Sequence, residues 1–555
     1  KPFWLESLPR VVNYISLSSI TMDHDVLAEL HVQAEVADHF AARNPRNGPR
    51  IRPKRRASRL LQLIVLGFAA LHTAIRGTAS LAQAGAASSA PPALPAPEPK
   101  SRSSLLDLPI GKVGTGIFLL VTLVCYGSSY ASAKQLLAVE ANTPEPAASG
   151  EQKKKPRIDA FDSLRFFLIA YIASGHFIQT STSNPVLLKL IMQINVVVGA
   201  FFVLSGYVAA YTTTELGQRK GTARLNNAVE FAVTRIMGFW PLHLMVLFLF
   251  SWVFIWVDVR FNGPITALWH GFLSVLMLQA WFPSSAEIWN APTWFLSAFS
   301  FCLIVLPYGL RLLALQKKSE LRRTLVFLGV LCLLPRLGYS DDLHAWDISE
   351  GTLSAKKHPN YMLFNAVRFS PFLASLEVLM GAAACRLVML DKEQDSGKTA
   401  SPIWPLIGML SIIGLRAQGI ITVNDMLVRT IAFIPLWIVF LMRLHRQSTG
   451  PGGAQKMLPK LLCRPTLLFL GGISFPIFIV HGPVGQVFFK KAVAKKLWGG
   501  MLAQPRPDGI HWFFGVYWAV VLLMAILLQK CFVESSRVKE ASKRLQVAII
   551  GRFVG

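Results

Sequence analysis

Residues 162–181 read DSLRFFLIAYIASGHFIQTS, an apolar run with an acid and an arginine at one end and a histidine near the other. Twenty helical residues rise about 30 Å, which matches the hydrocarbon thickness of a bilayer. Comparable runs follow at 190–213, 236–258, 265–282, 292–314, 323–338, 363–390, 403–420, 427–444, 466–489 and 511–533. The runs at 323 and 403 are short or interrupted. The fold expected is all-α, a polytopic transmembrane helix bundle of about ten or eleven core helices. Composition agrees. The 555 residues are 53% hydrophobic and only 15% charged, leaving more apolar surface than a water-soluble fold can bury.

A formal net charge of +26 raises the question of nucleic acid. The Lys and Arg residues, however, lie in short clusters beside apolar runs, without an aromatic-studded basic face, so no nucleic-acid partner is expected. The clusters Arg52–Arg59, Lys153–Arg157, Arg219–Arg224, Lys317–Arg323, Lys490–Lys496 and Arg537–Arg544 are expected on the cytosolic side. The cluster before residue 162 then places that end of the first core helix in the cytosol. This makes the chain an integral, multi-pass membrane protein whose first partner is the lipid bilayer.

The N-terminal region, 1–150, is separate from this core. Residues 60–74 have the shape of a signal or anchor segment, 113–131 form a further apolar run, and 142–155 are a Pro/Ala/Lys-rich linker. The core domain is expected over 157–540, with a short basic tail at 541–555. The six cysteines, Cys125, Cys302, Cys332, Cys385, Cys463 and Cys531, have no paired spacing for zinc or a disulfide framework and read as small packing residues. No solenoid repeat and no glycine-rich nucleotide loop is present.

The chemistry is concentrated in the opening run. Eleven residues at about 100° each bring Arg165 and His176 within roughly 20° of one helix face, about 16 Å apart along the axis. Charge at membrane depth is costly and marks function. That spacing suits an extended ligand: Arg165 holding the phosphates of a coenzyme A-type donor, and His176 reaching the thioester or the acceptor hydroxyl.

With those residues in place the chain resembles the integral membrane acyltransferase 3 family. Asp162 and the pair Arg165, His176 are similar to its Arg-x10-His signature and the Asp preceding it. Phe201-Phe202-Val203-Leu204-Ser205-Gly206-Tyr207 is similar to its second-helix motif, and Trp289-Asn290-Ala291-Pro292-Thr293-Trp294-Phe295-Leu296-Ser297 to its Trp-centred motif. Phe369-Ser370-Pro371 through Glu377 and Gly381 resembles a later one, and Ile473-Ser474-Phe475-Pro476-Ile477-Phe478-Ile479-Val480-His481-Gly482-Pro483 that of the last helices. The resemblance implies acyl transfer to sugars, lipids or other acceptors, with His176, Arg165 and His481 as catalytic candidates. It also implies Arg165 and Arg235 as donor-binding residues, Asp162, Glu377, Asn290 and Trp294 as supporting ones, and no metal. The chain departs from the pattern at Gly238 and Ser375, where the family often has Arg, and at Phe299, where many members have Glu.

Other polar residues have plainer readings. Glu377 is equally readable as an ion-pair partner of Arg368. Ser205 and Gly206 read as close-packing positions. The Asp341–Asp347 segment has metal-ligand residue types without a defined metal spacing and reads as a polar loop. The function expected is acyl transfer, chiefly of acetyl, from acyl-CoA to a hydroxyl of a carbohydrate, lipid or other small acceptor, with no permanently bound cofactor. The rival is a transporter of a polar or acylated molecule that uses Arg165, Glu377 and His481 along its pathway.

Overall fold

The computed structural model describes residues 157–213, 228–347, 360–391, 400–450 and 456–554. The expected signal or anchor at 60–74, the apolar run at 113–131 and the basic clusters at Arg52–Arg59 and Arg219–Arg224 lie outside them. The described residues are helical, and the single β contact is an isolated bridge between Thr182 and Arg506. This is the structure that lipid demands, because a helix satisfies its own backbone hydrogen bonds.

Among the described residues six helical segments are long and apolar enough to cross a membrane: Pro185–Thr213, Ala228–Leu249, Ala291–Leu315, Tyr361–Met389, Asp425–Thr449 and Phe513–Val533. The helices Pro465–Gly472 and Ser474–Phe489 are apolar enough together and meet at a bend of 59°, and Ile403–Ala417 is a shorter apolar helix. The opening helix, α1 (Ala160–Phe177), is too polar to qualify, owing to Asp162, Arg165 and His176 themselves. Lys318–Asp342 is likewise interrupted by charge.

The run at 265–282 differs from expectation. Its helix, Pro264–Val275, has only 12 residues and rises about 18 Å, too little to cross. It turns back from Ser251–Asn262 at Gly263, whose φ of +83° is open to a residue without a Cβ. Irregular chain then continues to the 3₁₀ turn Ala291–Thr293, with Met277 and Trp289 at positive φ. Hydropathy measures the apolar residues in such a segment but not the length of its helix. Non-helical backbone of this kind is tolerated where it is enclosed by protein or lines a cavity.

At the centre lies α2 (Pro371–Met389), buried along almost its whole length. It meets Gly199–Thr213 through reciprocal glycines. A Cβ on Gly206 would fall 1.8 Å from the Val378 carbonyl oxygen, and one on Gly381 would fall 1.8 Å from that of Val203. Small residues let two backbones touch and gain dispersion energy, the main adhesive between helices in lipid. Gly206 is therefore a packing residue, whereas its neighbour Ser205 faces a cavity.

Two ionic clusters lie buried in this scaffold. Glu377 is wholly buried between Arg336, at 2.8 Å, and Arg429, which also donates to it. The pairing of Glu377 with Arg368 expected from sequence is not formed; Arg368 pairs instead with Glu287 at 3.3 Å. Arg416 similarly meets Asp425, which also accepts from Asn195.

The direction of the helices around α1 corrects one further expectation. Gly471 abuts the backbone of Asp162, and Gly485 abuts the Phe177 ring. Ser474–Phe489 therefore runs parallel to α1, and Lys490 emerges at the end opposite Arg157. Arg157 and Lys490–Lys496 therefore lie at opposite ends of α1, where one side was expected for both clusters. The later basic cluster does return to the Arg157 end: the helix Ser536–Val554 packs there, with Ser542 donating to the Met237 carbonyl and Gln546 to Thr234.

Candidate active site

Two cavities open toward opposite ends of α1. The first, about 630 Å³, begins among Arg157, Asp162 and Arg165, passes Ile169 and Ile172, and ends at His176. Its inner wall carries Trp294, Phe295, Phe299 and Arg368. The second, about 440 Å³, starts at His176 and Phe177 and continues past Gln179, Thr180, Asp258, His270, Glu287 and Trp289 to Lys490. His176 and Pro292 border both cavities.

At the mouth of the first cavity, Arg157 and Arg165 both donate to the Asp162 carboxylate. The three groups carry a net charge of +1, and Asp162 holds the Arg157 guanidinium above its ordinary pKa. Arg165 is thus aimed and partly neutralised, and it remains 37% exposed. Arg235 does not border this cavity. It lies over the Phe231 ring at 3.9 Å, while Gly238 and Phe239, from the turn that follows, form the lining.

His176 occupies the last turn of α1. None of the hydrogen bonds among the described residues engages its ring nitrogens, which leaves them for a ligand. Its ring centroid is 5.4 Å from that of His481, with an interplanar angle of 52°. His481 is fully buried and donates from Nδ1 to the Phe478 carbonyl at 2.7 Å, which fixes the other nitrogen, Nε2, as an acceptor. That Nε2 has no partner. Asn290 ties the adjoining segment to this helix by donating to the Ile479 carbonyl at 2.9 Å, and its own Oδ1 is also unpartnered. Two buried acceptors, His481 Nε2 beside His176 and Asn290 Oδ1 beside Gly482, lack the donor that burial ordinarily requires. A protonated His176 or a substrate hydroxyl has the chemistry to supply it.

The arrangement also contains groups that the sequence reading did not place at the site. Arg368, held over Phe369 at 4.5 Å, presents a cation to the inner end of the first cavity, and its buried Nε has no acceptor. Its partner Glu287 borders the second cavity and accepts from the Tyr361 hydroxyl at 3.0 Å. Asp258 accepts from Trp289 Nε1 at 2.8 Å, from Asn262 at 2.6 Å and from His270 Nδ1 at 2.9 Å. Those bonds, stacking of Trp289 on Phe254 and the close approach of Gly271 hold Trp289 at a φ of +47°, a conformation that costs about 1–3 kcal/mol.

Of the residues selected from sequence, the structure gathers Arg165, Asp162, His176 and Trp294 around one cavity, with His481 and Asn290 directly behind its inner end. It sets Glu377 apart in the ionic cluster. Two of the three departures from the family pattern, Gly238 and Phe299, face the cavity. The third, Ser375, instead donates to the Pro371 carbonyl at 2.8 Å. Among the described residues no group of three His, Cys, Asp or Glu side chains is arranged to hold a metal ion.

Comparison with known proteins supplies the family. Acyltransferase MdmB of Streptomyces mycarofaciens is 27% identical over 175 residues, an alignment that covers 30% of this chain and 42% of that protein. The chain thus spans about two-fifths of the length of that curated relative. No solved structure matches. Residues 158–529 match the acyltransferase domain model, covering the helices that build both cavities, and by that match the chain belongs to the integral membrane acyltransferase 3 family.

Proposed function

We propose that this is a multi-pass membrane acyltransferase that moves an acyl group, acetyl in the first instance, from acyl-CoA to a hydroxyl of a carbohydrate, lipid or other small acceptor. The observation that carries the reading is the position of His176 where the two cavities meet. The thioester enters from the cytosol past Arg165, whose guanidinium suits phosphate, and its pantetheine arm follows the apolar lining to His176. The acceptor arrives through the second cavity.

His176 takes the proton of the acceptor hydroxyl as its oxygen attacks the thioester carbon. Negative charge develops on the former carbonyl oxygen, where Arg368 is the nearest cation in the lining to receive it. Collapse of the tetrahedral intermediate breaks the carbon–sulfur bond, and the proton held by His176 leaves with the coenzyme A thiol. His481 backs the His176 ring and offers Nε2 to its proton.

The test uses purified protein in proteoliposomes with labelled acetyl-CoA, supplied with lipid and glycan extracts as acceptors. Wild type is expected to label an acceptor identifiable by mass spectrometry, whereas folded His176→Ala and Arg165→Ala variants are expected to lose that transfer. Full transfer by both variants overturns the residue roles. The two oppositely directed cavities also suit a transporter. Uptake of solute without thioester consumption would select that reading instead.

A further inference from the structure

We infer that the second cavity takes an acceptor bearing a phosphate group, engaged by Lys490 at its mouth. The inference rests on the acyl-transfer reading for the word acceptor, but the site itself stands on the charges in and around the cavity. The acids that border it are already committed: Asp258 accepts from Trp289, Asn262 and His270, and Glu287 pairs with Arg368. Lys490 borders the same cavity, and its ammonium makes no ion pair or hydrogen bond among the described residues. Burial pushes its ammonium below the ordinary lysine pKa, with Asp258 opposing the shift.

Lys490 also begins the run Lys490-Lys491-Ala492-Val493-Ala494-Lys495-Lys496, which contains no acid. Val493 packs with Val253 and Val257 of the segment that carries Asp258, fixing the run beside the cavity. With the Arg157 end in the cytosol, as the acyl-transfer reading has it, this run at the opposite end of α1 departs from the rule that concentrates lysine on the cytosolic side. Chain orientation therefore does not explain it. Lys490 borders a cavity whose own acids are hydrogen-bonded, and with the lysines that follow it in the run it adds positive charge that raises the local concentration of anions. The cavity behind it offers a hydroxylated ligand the polar side chains of Thr180 and Gln486 and the aromatic face of Trp289.

The experiment reads occupancy without any thioester. Gln179 is exposed at the rim, and Gln179→Cys is labelled with a maleimide and followed by mass spectrometry of its peptide. Glucose 1-phosphate is expected to slow labelling and glucose is not. Lys490→Gln is expected to raise the half-protecting concentration about tenfold, as for loss of one charged hydrogen bond. Lys490→Arg is expected to retain protection, which separates loss of the cation from misfolding. Protection in nanodiscs containing phosphatidylinositol, but not in phosphatidylcholine alone, assigns the phosphate to a lipid headgroup; protection by the soluble sugar phosphate alone assigns it to a free acceptor. Equal protection by glucose, no protection by either phosphate source, or protection unchanged in Lys490→Gln overturns the inference. Intact phosphate protection in a protein that consumes no thioester would remove the acyl-transfer reading and leave the site.

Discussion

Replacing Glu377 with Gln tests whether the carboxylate at the centre of the bundle is structural. Gln keeps the shape and one acceptor oxygen but removes the charge. Arg336 and Arg429, with side chains 3% and 5% exposed, would then share a buried space with no counter-ion. Breaking a buried pair from one side costs about 3–5 kcal/mol, because the remaining charge is left desolvated. Here one carboxylate serves two guanidiniums, so the upper half of that range is expected, on the order of a thousandfold in the folding equilibrium. Thermal melting in detergent, read by tryptophan fluorescence, should show Glu377→Gln melting well below wild type. The triple change Glu377→Leu, Arg336→Met, Arg429→Met should regain most of the loss, since apolar replacements remove the desolvation cost. A Glu377→Gln variant that melts within about 1 °C of wild type but loses acyl transfer would refute this reasoning and make the carboxylate catalytic.

Gly381→Ala should lower stability by at least about 1–3 kcal/mol, since its new methyl meets the Val203 carbonyl oxygen and the helices must part; a thermal melt measures this. Arg368→Gln should lower kcat by about a hundredfold with a small change in acyl-CoA KM, as for removal of one oxyanion donor, and steady-state kinetics distinguish the two. His176→Ala should cost about 10²–10⁴ in kcat, whereas Arg165→Ala should act mainly on acyl-CoA KM, a split visible in the same assay. Gly482→Ala should reduce transfer, because its Cβ would stand 2.6 Å from Asn290 Oδ1 and 3.0 Å from Pro292, beside His481; the comparison is activity per folded protein.

The helical fold was legible because lipid permits few solutions, and a chain this apolar selects among them by composition. Arg165 and His176 were legible because helical periodicity is a local rule: their shared face follows from eleven residues of spacing. What was missed is long-range. Arg368 lies nine positions before Glu377 and seemed its natural partner, yet Glu377 found Arg336 and Arg429, 41 and 52 positions away, because distant segments converge there. The same long-range folding carried Arg368 to the cavity and Arg235 away from it. Counting lysines beside an apolar run likewise missed the side reached by Lys490, since the bend of 59° and the parallel course along α1 are tertiary properties.

The half-length helix Pro264–Val275 and the irregular chain up to Thr293 have a consequence for how such a protein diversifies. The first cavity is walled largely by long helices whose faces are locked by glycine contacts, so one altered residue disturbs the whole bundle. The second borrows a wall from loop, where insertions and deletions are absorbed without shifting α1. Descendants of this scaffold can therefore reshape the second cavity while inheriting the first and its histidine unchanged.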